Sequence, residues 1–464
     1  MIWKRTVVFL AASLLCLETN FGSGASLAAP SVSTQAADLS LPSVKRDTLL
    51  NGLRLITLPQ GGTGEVKIHL RINSGSLFDL AGKGGLADIT ARMTLKGGAG
   101  YTSKNVVDTA SALGLTINEK VTWDSTDFVV SGPSASFEQI MDLLGRLLAT
   151  PTFSQADLDQ VKAQRLSELI AEPKDGSLVA GRIALQALFG TFPYGRPEEG
   201  TAYSIARVTR DDLVFYHDRF YIANNAELAV IGDISADDTT KIARAKLGIW
   251  KKGDIIPATF RPPVAPQTRQ IYLIDTPADA ASVAVAEIGI TRRANDYFPT
   301  VIAAALFEMT AAKSPDMAIH SELAARTLAG PFLVSSRSPL DKAADRVEQI
   351  IAGMSQIAKG QTTPDQIQQV KSQLISAYLK GVAGQDGLVA ALLEVDLYGL
   401  GRDYIINYAN RVDAVTPADI MQAAQSHLNP ESVVVIVTGP AAKLEPALRR
   451  LGAVSVVKDQ QTSQ

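Results

Sequence analysis

The chain has 464 residues, too many for one ordinary hydrophobic core, so two or more domains are expected. Its 46% apolar and 20% charged residues belong to a folded protein rather than a disordered one. With a net charge of −3 there is no basic field to attract phosphate backbones, which sets nucleic-acid binding aside.

In chain order, the first feature is a targeting segment. Lys4 and Arg5 form a positive start, Val7 to Leu17 is an apolar run, and Ser26-Leu27-Ala28 is a small-residue cleavage signature. A run that short cannot cross a hydrocarbon layer of ~30 Å as a helix, so residues 1–28 are expected to be a cleaved signal peptide and not a transmembrane anchor. Cys16, the only cysteine, lies inside it. A lipoprotein signal is the alternative, disfavoured because Leu15 is bulky where such a signal prefers a small residue. The mature chain then has no thiol or disulfide chemistry, and in a bacterium its address is the periplasm.

Next come strand signals. Leu49-Leu50 and Leu53 to Leu58 flank Asn51-Gly52, a hairpin turn, and Val66 to Asn73 alternates apolar and polar. Ser103 can cap a helix through Ala112. Leu115–Val121 and Thr126–Ser131 read as a hairpin around Asp124-Ser125. Ser154-x-x-Asp157 resembles a capping box ahead of a long helix ending near Glu172. Several segments then recur. Val208-Thr209-x-x-Asp212-Leu213 is matched by Val415-Thr416-x-x-Asp419-Ile420, and Leu228 to Gly232 by Val435 to Gly439. Phe137 to Ile140 recurs as Val347 to Ile350, and Leu158 to Lys162 as Ile367 to Lys371. Four matches in one order argue for a duplicated module. The expected fold class is therefore α+β: two homologous modules, each a mostly antiparallel sheet with helices packed against it. The layout places the first module at 41–250, a Pro-rich linker at 251–270 with Pro257, Pro262, Pro263 and Pro266, the second module at 271–455, and a polar tail at 456–464.

Gly84 to Lys96 reads GGLADITARMTLK. It resembles the zinc-binding helix of the insulinase-type (M16, pitrilysin) metallopeptidases, roughly GLAHxxEHMxFKGT. Asn51-Gly52-Leu53, Gly75-Ser76, Phe192 to Arg196, the Thr209 segment and the Asn225 to Gly232 strand extend the resemblance over nearly all of the mature chain. The resemblance implies that Asp88 stands for the first His, Ala91 for the Glu and Arg92 for the second. Such chemistry needs two imidazoles over one point of a helix, a carboxylate ligand from elsewhere and a Glu that activates the metal-bound water. His69, His217, His320 and His427 are too far apart in sequence to replace the pair, and each reads as an ordinary surface or half-buried histidine. The segment Arg165 to Leu169 matches the family's distal-ligand helix, which makes Glu168 the candidate remnant ligand. Asp88 and Arg92 have favourable i,i+4 spacing, so an ion-pair cluster with Glu168 is one expectation, and open solvated side chains are the other. No catalytic residue, metal ligand or cofactor is assigned to this chain.

Lys96-Gly-Gly-Ala-Gly100 lacks the residues of a phosphate loop and reads as a helix end, and no Gly-x-Ser-x-Gly elbow is present. The family's C-terminal module presents an Arg and a Tyr to substrate. Here Arg326 matches the Arg and is the candidate substrate contact, while Thr327 and Gly330 stand where a Gly and the Tyr are expected. The resemblance implies half of a clamshell. The reading that follows is a non-catalytic subunit that pairs with a zinc-bearing homologue as a heteromeric periplasmic peptidase acting on peptides or unfolded proteins. The alternatives are a stand-alone structural or peptide-binding protein, and a peptidase working through an unrecognised site.

Overall fold

The computed structural model describes residues 42–171, 175–311 and 319–458. The expected signal peptide lies outside them. The first half runs β1 (Lys45–Thr48), β2 (Arg54–Pro59), β3 (Glu65–Ile72), α1 (Leu86–Thr94), α2 (Ser103–Ala112), β4 (Thr116–Val121), β5 (Thr126–Pro133), α3 (Phe137–Ala149), α4 (Gln155–Ala171), α5 (Gly176–Phe189), α6 (Ala202–Ala206), α7 (Arg210–Phe220), β6 (Ala226–Gly232) and α8 (Ala236–Leu247). After an irregular stretch the second half runs β7 (Gln270–Asp275), β8 (Ala280–Ile288), α9 (Tyr297–Ala311), β9 (Ile319–Leu323), β10 (Pro331–Pro339), α10 (Ala343–Ala358), α11 (Pro364–Ala383), α12 (Gln385–Tyr398), α13 (Tyr404–Asp413), α14 (Pro417–His427), β11 (Val434–Gly439), α15 (Ala441–Leu448) and β12 (Val454–Lys458).

Among the described residues the strands form two six-stranded sheets, β1-β2-β6-β3-β5-β4 and β12-β7-β11-β8-β10-β9. Five positions correspond one to one, and most neighbours are antiparallel, so the α+β fold of two like modules is observed. Thr209 and Thr416 both form capping boxes, with Asp212 and Asp419 respectively. Lys162 donates to the carbonyls of Ala206 and Val208, and Lys371 to those of Asp413 and Val415. The repeated sequence has thus become a repeated contact, a long helix tied by a lysine to the turn before a capped helix.

Three local expectations are corrected. The first hairpin arm is Lys45–Thr48, because the turn already begins at Leu49, whose carbonyl accepts from Gly52 N–H. Gly52 has φ +87°, a conformation that favours glycine. Thr102, not Ser103, caps α2, because its hydroxyl accepts from Asn105 N–H while the Asn105 side chain reaches back. Val456 to Lys458, expected in the polar tail, belong to the edge strand β12, which pairs parallel to β7.

Helices cover one face of each sheet. On the other face the halves exchange a helix: α5 of the first half packs on β8, β10 and β11, and α12 of the second half reaches β6. Ile56, Leu58, Ala229 and Ile231 of the first sheet accordingly share one apolar core with the second half.

Candidate functional site

Helix α1 is preceded by Gly85, whose φ of +87° no side chain would tolerate easily. No cap residue serves its free amides. Asp79, buried in the preceding loop, accepts from Gly85 N–H at 2.7 Å and Ala87 N–H at 2.8 Å. Burial pushes the Asp79 carboxyl up to about 7 against the pull of Arg196 and those amides. The helix packs on α4, α7 and β4, with Ala87, Ile89, Ala91 and Met93 in the core. Ala91 is therefore a packing residue.

Asp88 and Arg92 lie on the remaining face and meet α4. Arg92 Nε is 3.1 Å from Asp88 Oδ2, and its two Nη atoms are 3.1 and 3.0 Å from the two oxygens of Glu168. Arg165 completes a square, with Nε 3.2 Å from the same Asp88 oxygen and Nη1 3.1 Å from Glu168 Oε2. Gln164 adds a hydrogen bond to Glu168 at 3.0 Å. Asp88, Arg92 and Glu168 thus come together as an ion-pair cluster rather than as separate solvated side chains. Arg165 joins through its i,i+3 spacing from Glu168, a signal local enough to be visible in the sequence. Glu119 on β4 adds a nearby carboxylate that burial raises against the pull of Arg92.

The electrostatics follow the packing. Burial raises the Asp88 carboxyl despite Arg92 and Arg165. Burial also acts to raise Glu168, but the hydrogen bonds from Arg92 and Gln164 outweigh it and hold that group below the usual carboxylate range. Zinc does not fit these residues. Two fixed guanidinium cations occupy the space between the carboxylates, and neither imidazole nor thiolate is present in the cluster. Among the described residues no grouping of three or more His, Cys, Asp or Glu has metal-ligand geometry.

The histidines sit elsewhere. His217 is buried in α7 with Nε2 2.8 Å from the Leu148 carbonyl, and burial pushes it down to about 4. His427 contacts Asp296 at 2.7 Å, His69 faces Asp386 at 3.6 Å, and His320 is exposed. Arg326 is far from solitary. Its guanidinium lies 5.4 Å from the ring centre of Trp123 and 5.1 Å from that of Tyr194, both in the first half. The adjoining backbone is held too: Thr327 N–H and the Tyr398 hydroxyl both donate to Asp124 Oδ2, at 3.0 and 2.8 Å. A side chain at Gly330 would place its Cβ 1.8 Å from the Ala324 carbonyl, so this backbone has no room for the expected Tyr.

The insulinase (peptidase family M16) description matches residues 56–198, and the description "peptidase M16 inactive domain" matches 207–374. The chain belongs to the M16 peptidase family. It is 25% identical over 205 residues to an uncharacterized zinc protease of Mycobacterium leprae, covering 44% of this chain and 46% of that one. It is 23% identical over 232 residues to the mitochondrial-processing peptidase subunit beta of Caenorhabditis elegans, covering 49% and 50%. It is 24% identical over 205 residues to cytochrome b-c1 complex subunit 1 of the same animal, covering 44% and 43%. The matches span about half the length of these relatives. Among solved structures, an M16 inactive domain from Pseudomonas fluorescens superposes with TM-score 0.76 at 21% identity, over 86% of this chain and 98% of that one. The first half of the periplasmic protease PqqL from Escherichia coli superposes with TM-score 0.69 at 17% identity, over 90% and 100%. These two likenesses establish the M16 half-clamshell fold.

Proposed function

We propose that this chain is a non-catalytic M16 subunit that is exported to the periplasm and pairs with a zinc-bearing homologue to form a heteromeric peptidase for peptides or unfolded proteins. The observation that carries the reading is the Arg92 guanidinium, clamped by Asp88 and Glu168 where a family member would place a metal. An intact fold around such a site is what a subunit retained for shape and substrate contact would keep. Zinc belongs, on this reading, to the partner, and this chain takes no cofactor of its own. The fold likeness to one half of PqqL supports assembly from two halves.

The test is co-expression with a zinc-motif M16 homologue from the same genome. The mature chain alone is expected to show no peptide hydrolysis and no change in melting temperature with zinc or chelator, and hydrolysis is expected in the co-purified mixture. Stoichiometric zinc in the pure chain, or chelator-sensitive hydrolysis by it, would sink the proposal. The similarity to a cytochrome b-c1 complex subunit favours a second reading, a structural or peptide-binding protein with no proteolytic role. Peptide binding without hydrolysis in any mixture would select it.

A further inference from the structure

The exchanged helices α5 and α12 occupy like places on like sheets, but the surfaces beneath them have diverged. On the second sheet the row of in-register residues is Gln270, Val434, Ala286, Leu333 and Glu322, apolar at its centre. Helix α5 lies there on a dry cluster, its Ala180, Ala184 and Leu188 against Ile274, Ala284, Ala286, Val434 and Ile436. The corresponding row on the first sheet is Arg54, Glu227, Arg71, Asp127 and Lys120, a ladder of alternating charge across five strands. Helix α12 meets this sheet through charge at both ends. Asp386 pairs with Lys67 at 2.8 Å and faces His69, while Asp396 pairs with Arg46, which also contacts Glu227 at 3.8 Å. Ile56, Leu58, Ala229 and Ile231 give the seam an apolar strip between those ends.

We propose that α12 is a releasable strap, held on the first sheet by charge and loosened by salt or alkaline pH, whereas α5 is a permanent tie. The proposal concerns this chain alone and does not depend on a partner. Salt reaches the seam because the Lys67–Asp386 pair is open to solvent, its side chains 33% and 49% exposed. The pH response centres on Glu227, 1% exposed, with both oxygens lacking a hydrogen-bond donor among the described residues. Arg46 faces it from β1, Arg54 from β2 at 3.6 Å, in-register Arg71 from β3, and Asp396 from α12; Glu394, also on α12, acts on Arg71. Burial, and then Asp396, push the Glu227 carboxyl up to about 8. Near neutrality the Glu227 carboxyl keeps its proton beside Asp396. Losing it sets one negative charge against the other, which Arg46 and Arg54 offset only in part. Asp386 stays ionised throughout, since His69 and Lys67 hold it far below the usual range, so that end responds to salt.

Cysteine accessibility tests this. The chain's only cysteine is Cys16, so a mature chain beginning beyond it reports from an introduced thiol alone. Ala229→Cys places the reporter under α12 and Ala286→Cys under α5, both at fully buried alanines. The ratio of their alkylation rates cancels the pH dependence of the thiolate. The ratio is expected to rise several-fold from low to molar salt, and again between about pH 7 and pH 9. Adding Glu227→Gln should abolish the pH response and leave the salt response. Equal protection of both thiols under all conditions would overturn the strap, as would parallel opening of both. Ile231→Cys, on the same strip, serves if Ala229→Cys does not fold.

Discussion

On the proposed reading, in which Arg92 stands where the family has a metal-binding His, one substitution changes what the site can do. An imidazole pair holds an exchangeable cation, whereas a guanidinium is itself a cation that cannot leave or deprotonate. Its worth is set by context. The partners are neither fully buried nor free, with Asp88 16% and Glu168 35% exposed at the side chain. Removing it leaves two carboxylates facing each other with only Arg165 between them. Arg92→Ala is expected to destabilise the chain by about 1–3 kcal/mol, between the values for exposed and buried pairs, measured by urea unfolding. Arg92→Ala combined with Glu168→Ala should cost less than the sum of the two, because the double variant strands no charge. Additive costs would mean that the pair is incidental. The sequence offered an Asp88, Arg92 and Glu168 cluster as one of two expectations, through helical spacing and family resemblance. It did not show Glu119, which reaches the cluster only because β4 pairs with β5 and brings that strand beside α1.

At the scale of elements, the duplicated module is written in caps and ties. Thr209 and Thr416 each close a capping box, and replacing either by Ala is expected to cost about 1 kcal/mol, read as a drop in urea midpoint. The lysines behind those helices, Lys162 and Lys371, bind backbone carbonyls with no carboxylate in reach of the hydrogen bonds described. Lys371→Met should therefore cost more than a surface lysine change, since it leaves the Asp413 and Val415 carbonyls without that donor. A loss within experimental error would show that water replaces the ammonium there. These elements were legible because their signals are local: a Thr three residues before an Asp, or an Asn-Gly between apolar runs. The first strand was misplaced because the Leu49–Gly52 turn takes Leu49 and Leu50 out of it, and the β12 edge was not legible because register against the distant β7 decides it.

For the whole molecule, buried carboxylates set the pH response. Burial pushes Asp79 up to about 7 and Glu198, Glu227 and Glu287 up to about 8. Each binds its proton more tightly folded than unfolded. Its contribution is thus complete below the unfolded value near 4 and is lost as pH rises toward 7 or 8. His217 acts oppositely. Pushed down to about 4, it favours the folded state above its unfolded value near 6.5 and loses that as pH falls. The melting temperature is expected to be higher near pH 6 to 6.5 than at pH 8.5, with Glu227→Gln flattening the alkaline limb. A melting temperature that climbs steadily to pH 8.5 would contradict this balance.

The sequence by itself determined the strand and helix types from spacing within short stretches of chain, and the duplication from segments that recur in one order. The reading of Asp88, Ala91 and Arg92 as standing at the family's metal-site positions came from the family resemblance. The sequence carried no sign of the helix exchange, because α5 and α12 look like ordinary helices of their own halves until the sheets they cover are known. Nor could it place Arg326 between Trp123 and Tyr194, since that contact joins residues about two hundred positions apart. The alternating ladder beneath α12 likewise exists only once five strands lie in register. Which charges are neighbours is a property of pairing, and pairing is decided by the fold.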